Sequence, residues 1–159
     1  MDWIWTEAEK LGGVATMFAA LVGLCALVPA AWQIVSAKSV ALRISAIEAY
    51  QSYMRSCIDR PHLGTWKLFV AWSGHTSAEQ LEDQSDVKAE AYVWLLSDML
   101  MTCELALYAA RSDKSWLDTI HGQIKLHEPA IRALWPRWRL VYSPSLRRIV
   151  DASLARLAT

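Results

Sequence analysis

Four histidines, three cysteines and a set of carboxylates are the groups in this sequence able to shuttle protons, attack an electrophile or hold a metal ion. Histidine changes charge near neutral pH and is the commonest metal ligand, so its spacing comes first. His62, His75, His121 and His127 form neither HxxxH nor HExxH. The six-residue step from His121 to His127 also turns the second ring away from the first on a helix. All four read as surface or core-edge side chains. Cys25, Cys57 and Cys103 are widely separated and make no CxxC pair. They read as small buried hydrophobes in a reducing compartment. Asp98 and Glu104 diverge if they share a helix. Glu104 is expected to be buried or half-buried and hydrogen-bonded to a tryptophan, tyrosine or arginine. No serine sits in GxSxG, and Gly12-Gly13 does not open a phosphate loop. No catalytic residue, metal ligand or cofactor-binding residue is therefore assigned. The expectation is a protein that is not an enzyme, with no cofactor and no identified small-molecule substrate.

A second cluster concerns surfaces rather than reactions. Trp135-Pro136-Arg137-Trp138-Arg139 pairs indole rings with guanidinium groups, a combination suited to a water–lipid boundary. The competing reading puts both tryptophans in a core and leaves the arginines solvated or paired with the acidic stretch from Glu79 to Glu90. That stretch holds five acidic residues against Lys88, whereas Ala130 to the end holds six arginines against Asp151. Net formal charge is zero, which speaks against a nucleic-acid partner.

The element that must position everything else lies at the amino end. Leu11 to Ala37 contains no charged residue in 27 positions. About 20 apolar residues cross a bilayer core as a helix, so this segment predicts one transmembrane span. Trp3 and Trp5 precede it and Trp32 closes it, as interfacial indoles would. Asp2, Glu7 and Glu9 against Lys10, together with the length, argue against a cleaved signal peptide. Lys38, Arg43, Arg55 and Arg60 follow the span, which predicts an outside amino terminus and a cytoplasmic carboxyl-terminal domain. The domain division is 1–37 for tail and span, and 38–159 for a helical domain.

Small residues in the span recur at steps of four and three: Gly12, Thr16, Ala19, Gly23, Ala26 and Ala30. Such a stripe lets helix backbones approach closely in lipid. The same steps continue through Gln33, Ala37, Val40, Ile44, Ile47, Gln51, Met54 and Ile58, where side chains become larger. Either this seam joins copies of the protein, or its lipid part meets lipid or a partner while its aqueous part packs on the chain's own later helices. Ser39 to Asp59 has neither Gly nor Pro, so one helix should run to about Arg60 and end at Pro61.

Beyond it, Pro61 to Trp72 reads as a short helix or irregular apolar piece, and Ser77 with Gln80 as a capping box. Glu90 to Arg111 should be the central core helix, with Ala91, Trp94, Leu95, Met99, Thr102, Leu105 and Ala109 along one side. Ser112 or Asp113 caps a helix reaching about His127. Pro129 starts a short helix limited by Pro136, and Ser143-Pro144 opens an amphipathic last helix. The fold class expected is all-α: a transmembrane helix continuing into a long stalk, packed with a small helical bundle.

The order Glu104, Leu105 and Tyr108, then Trp116, then Pro129 and Trp135, then Tyr142 and a short terminal helix resembles a family of uncharacterised bacterial proteins. These carry one amino-terminal membrane helix and a compact helical domain. The resemblance covers about Glu90 to Val150, and Leu105 and Leu146 stand where members often show phenylalanine. It implies an all-helical fold and a bacterial inner-membrane setting, and it implies no activity.

Taken together, these features predict a single-pass membrane protein acting as a non-enzymatic interaction module. It would be a homo-oligomeric scaffold or an accessory subunit of a larger membrane complex, with membrane lipid and its own copies or other subunits as partners. The alternative is a membrane effector or channel-forming protein whose helical domain gates or senses. Thr16, Cys25 and Gln33 supply only a thin polar lining for a pore.

Overall fold

In the computed structural model, residues 2–83, 85–110 and 113–157 are described, with the side chains of 2–22, 26 and 28 excepted. Six α-helices occur among them and no strand, so the chain is all-α. Helix α1 spans Asp2–Asp59. Two compact units divide the chain, Met1–Ala41 and Leu42–Thr159.

Helix α1 ends where the sequence requires it. Arg60 N–H still donates to Ser56 O at 3.1 Å, and Pro61 then has no N–H to offer. A 3-10 turn, Pro61–Leu63, leads to helix α2, Trp66–Ser73, which Thr65 caps by accepting from Leu68 N at 3.2 Å. Gly74 closes α2 in the left-handed region (φ +83°), a conformation that costs other L-residues energy. The anticipated capping box is present, with Gln80 Oε1 3.2 Å from Ser77 N, but it starts a 3-10 turn, Ala78–Glu82, rather than an α-helix.

Helix α3, Val87–Ala109, begins three residues before the sequence reading because Asp86 caps it, accepting from Lys88 N and Ala89 N at 2.8 and 3.3 Å. Asp113 caps helix α4, Lys114–Leu126, through Ser115 N; the alternative cap Ser112 lies outside the described residues. Helix α5, Glu128–Trp138, carries Pro136 inside its last turn and continues past it. A proline there removes one hydrogen bond but leaves the final residues helical. Ser143 caps helix α6, Pro144–Arg156.

Within Leu42–Thr159, α3 is the central element, touching α2, α4, α6 and the Ala78–Glu82 turn. Its Tyr92, Leu96, Met99 and Leu100 are buried, as are Ile120 and Ile124 of α4, Ile131 and Leu134 of α5, and Leu146 and Val150 of α6. Each such aliphatic side chain contributes roughly 1.5–3 kcal/mol by leaving water. Phe69 of α2 stacks on Tyr92 with ring centroids 4.2 Å apart and planes 14° from parallel. The carboxyl half of α1 joins this core through Ala46 and Tyr53, with Tyr50 and Cys57 partly buried beside them.

Candidate functional site

The face of α1 that enters the core is not the seam read from the sequence. Ala46, Tyr53 and Cys57 point inward, whereas Ile44, Ile47, Met54 and Ile58 remain exposed, as does Val40 in the preceding unit, at between 37 % and 72 % of full exposure. At 100° per residue the two faces lie about a third of a turn apart. The idea that the aqueous part of the seam packs on the chain's own later helices is therefore corrected: Tyr53 and Ala46 take that role. Gly23 and Ala30 are exposed, and a side chain at Gly23 would meet nothing within 4 Å. Gly12, Thr16, Ala19 and Ala26, with Trp3 and Trp5, have side chains outside the described residues; Trp32 is exposed. Among the described residues one helix, over Gly23–Asp59, is long and apolar enough to cross a membrane, by length and composition.

Helix α3 presents a second exposed apolar stripe, of which pattern reading places Trp94 and Leu105 along the core side. Trp94, Met101 and Tyr108 stand well exposed, with Leu105 half-buried among them. Their steps of seven, four and three place them on one side of the helix. An open groove of about 440 Å3 runs beside this stripe, from Ala49 of α1 to Met101, Leu105 and Tyr108 of α3. The signal for exposure was in the sequence as Asp98, which falls on the same stripe and is itself exposed.

Trp135, which one sequence reading puts at a lipid boundary and the competing one in the core, is a core residue. Its indole Nε1 donates to Asp151 Oδ1 at 2.7 Å, and the ring stacks on Tyr142 with centroids 5.9 Å apart. Asp151 also receives Arg139, Nη2 to Oδ2 at 2.8 Å, and the carboxyl is held below its usual range by Arg139 first and Trp135 second. Arg137 reaches Glu82 at 2.7 Å, across to the acidic stretch. Trp138 packs half-buried against the core.

His127 departs furthest from the surface or core-edge reading, since it is fully buried. Tyr92 Oη lies 2.7 Å from its Nδ1, and Tyr53 Oη lies 3.4 Å from its Nε2. Tyr53 Oη donates to Gln123 Oε1 at 3.0 Å, and Gln123 Nε2 donates to Tyr50 Oη at 3.4 Å. One assignment gives every proton an acceptor: Tyr92 donates to Nδ1, and Nε2–H donates to Tyr53. Burial lowers His127 to about 4, which keeps it neutral, and pushes both phenols up. The chain ties α1 to α3, α4 and α5. Tyr53, Tyr92 and His127 in it are buried, Gln123 and Tyr50 half-buried, and the bonds hold these helices together.

The remaining groups are similarly engaged. His75 is buried, with Nε2 3.0 Å from Asp86 Oδ2. His62 and His121 are half-buried. Glu104 is half-buried as expected, but its partner is the backbone N–H of Ser143 at 2.7 Å, not an aromatic or arginine. A carboxylate meeting an amide that α6 leaves outside its own ladder is a stronger local match. Cys103 is buried and its thiol is pushed up to about 12; Cys57 is half-buried and raised by burial; Cys25 is exposed. Thiols so shifted are poor nucleophiles. Among the described residues no group of three His, Cys, Asp or Glu side chains is placed to hold a metal ion. Comparison with models of known protein families, with curated proteins and with solved structures gives no match to the chain.

Proposed function

We propose that this protein is a membrane-anchored, non-enzymatic interaction module that assembles with its own copies through the exposed stripe of α1. The observation that carries this reading is the exposure of Ile44, Ile47, Met54 and Ile58 on a helix whose neighbouring face is already buried in its own domain. Contiguous apolar surface on a folded domain marks a contact site. Trp94, Met101 and Tyr108 on α3 extend the apolar surface of the same unit. Within the lipid part, Gly23 and Ala30 leave room for a second helix to approach. The amino terminus lies outside a bacterial inner membrane and the helical domain in the cytoplasm, following the basic residues Lys38, Arg43, Arg55 and Arg60.

Native mass spectrometry of the full chain released from a mild detergent tests this directly. A discrete multiple of 17.9 kDa is expected. Replacing Ile47 and Met54 together by Ser should return the monomer without lowering the melting temperature, since both are exposed. A wild-type chain that runs as a monomer overturns the self-association reading.

A further inference from the structure

Where α3, α4 and α6 meet, the domain has an open cleft of about 450 Å3. Leu107, Leu117 and Ile149 form its apolar wall, while His121, Ser145, Arg148 and Arg156 supply its polar rim. Among the described residues no carboxylate side chain lines it. Arg148 and Arg156 stand two turns apart on α6, about 12 Å along the axis, and the exposed Ala152 between them leaves the floor open.

The arginine-rich carboxyl end is sorted by these contacts. Arg132 pairs with Glu128, Arg137 with Glu82 and Arg139 with Asp151, while Arg147 donates to Tyr142 O at 2.7 Å. Arg148 instead lies at the cleft, its Nε 3.4 Å from Pro144 O, with no carboxylate partner among the described residues. The orientation of His121 is set as well. Ser153 Oγ donates to Ile149 O at 2.7 Å, so its 2.6 Å contact with His121 Nδ1 must be a donation from the ring. With Nδ1 donating, the neutral tautomer leaves Nε2 an acceptor, so an anionic head falls to the guanidinium rather than to this ring. The same proton assignment removes Ser153 as a nucleophile.

A cationic rim over an aliphatic wall matches one ligand chemistry. We propose that the α3–α4–α6 cleft binds an anionic amphiphile, with a phosphate or carboxylate head at Arg148 and hydrocarbon against Leu107, Leu117 and Ile149. Guanidinium groups form paired, charge-assisted bonds to such heads. The volume is that of an ordinary small-ligand site. The head can belong to an acidic phospholipid of the bilayer or to a free single-chain acid.

The test uses full-length protein in neutral detergent, with octyl phosphate as probe and native mass spectrometry as readout. One saturable adduct per chain is expected, with inorganic phosphate and octanol each at least about tenfold weaker. Arg148→Gln removes a rim charge and Ala152→Trp fills the floor without changing charge. Both sites are exposed, so melting should be unchanged while affinity falls about tenfold in each. Protein taken from phosphatidylglycerol nanodiscs distinguishes the sources. A lipid adduct displaced by octyl phosphate assigns the bilayer lipid, and octyl phosphate binding without such an adduct assigns the free acid. Absence of a saturable adduct, equal binding by inorganic phosphate, or full affinity in both folded variants overturns the proposal.

Discussion

The hydroxyl of Tyr92 sits 2.7 Å from Nδ1 of His127, two side chains 35 positions apart and both sealed from water. Tyr92 is a donor here, so removing its hydroxyl strands a buried ring nitrogen. Tyr92→Phe should cost about 1–3 kcal/mol, the penalty for an unsatisfied buried polar atom. Thermal unfolding followed by circular dichroism measures it. A loss well under 0.5 kcal/mol would mean that the pair is not formed.

His127 also imposes a pH dependence with a definite sign. Its value of about 4 in the folded domain lies below the 6.5 of an ordinary histidine. Between those limits the unfolded chain binds the extra proton, so stability is complete above pH 6.5 and declines as pH falls toward 4. The total is about 3 kcal/mol, a large part of what holds a small domain together. His127→Leu should be less stable at neutral pH yet show a flatter profile through this window. Denaturation midpoints of both proteins at half-unit pH steps would reveal the difference.

Two arginine contacts near one another should behave differently. Asp151 satisfies the buried Trp135 indole as well as Arg139, and Asp151→Ala is expected to cost about 1–3 kcal/mol because that N–H loses its acceptor. Arg137 and Glu82 meet in solvent, and Arg137→Ala should change stability by less than about 0.5 kcal/mol. Equal effects in paired urea titrations would contradict this ranking.

Glu104 holds the start of α6 through the Ser143 amide. Glu104→Ala should destabilise by about 1 kcal/mol, with Glu104→Gln recovering part of the loss because an amide oxygen still accepts. Hydrogen exchange at the Ser143 amide is the direct readout and should accelerate most in the alanine variant.

Gly23→Leu separates association from folding. The single chain has open space at that position, so the larger side chain is accommodated without internal strain. Any fall in oligomer mass then reports on helix approach around Gly23. Unchanged mass would place the contact elsewhere on α1.

Much of the helical outline was legible because helix ends are local events. Pro61 stops α1, Asp113 and Ser143 open α4 and α6, and each signal sits within a few residues of the backbone group that it satisfies. Facing was harder to read. Trp94 looked like a core residue on α3 because its neighbours are apolar on nearly every side, and only packing against α2, α4 and α6 decides which side is left over. His127 was read as an edge residue, and Trp135 was left between lipid boundary and core, for a related reason: their burial depends on Tyr92 and Asp151, partners 35 and 16 positions away that no spacing rule connects. The His121–Ser153 contact that orients the cleft spans 32 positions and was equally hidden.

The inward face of α1 meets its partners late in the chain: Tyr53 bonds Gln123 and His127, 70 and 74 residues further on. At typical rates of synthesis, roughly 4 to 15 s pass between the making of that tyrosine and of its partners. For this interval the nascent helix has two bare apolar sides, the one reserved for its own domain and the one carrying Ile47 and Met54. A neighbouring nascent chain on the same message would meet both, and premature pairing through the wrong side would leave Tyr53 occupied when Gln123 and His127 arrive. The order of emergence thus leaves the inward face of α1 uncovered until Gln123 and His127 are made, and rapid docking of Tyr53 shortens the time in which it can pair wrongly.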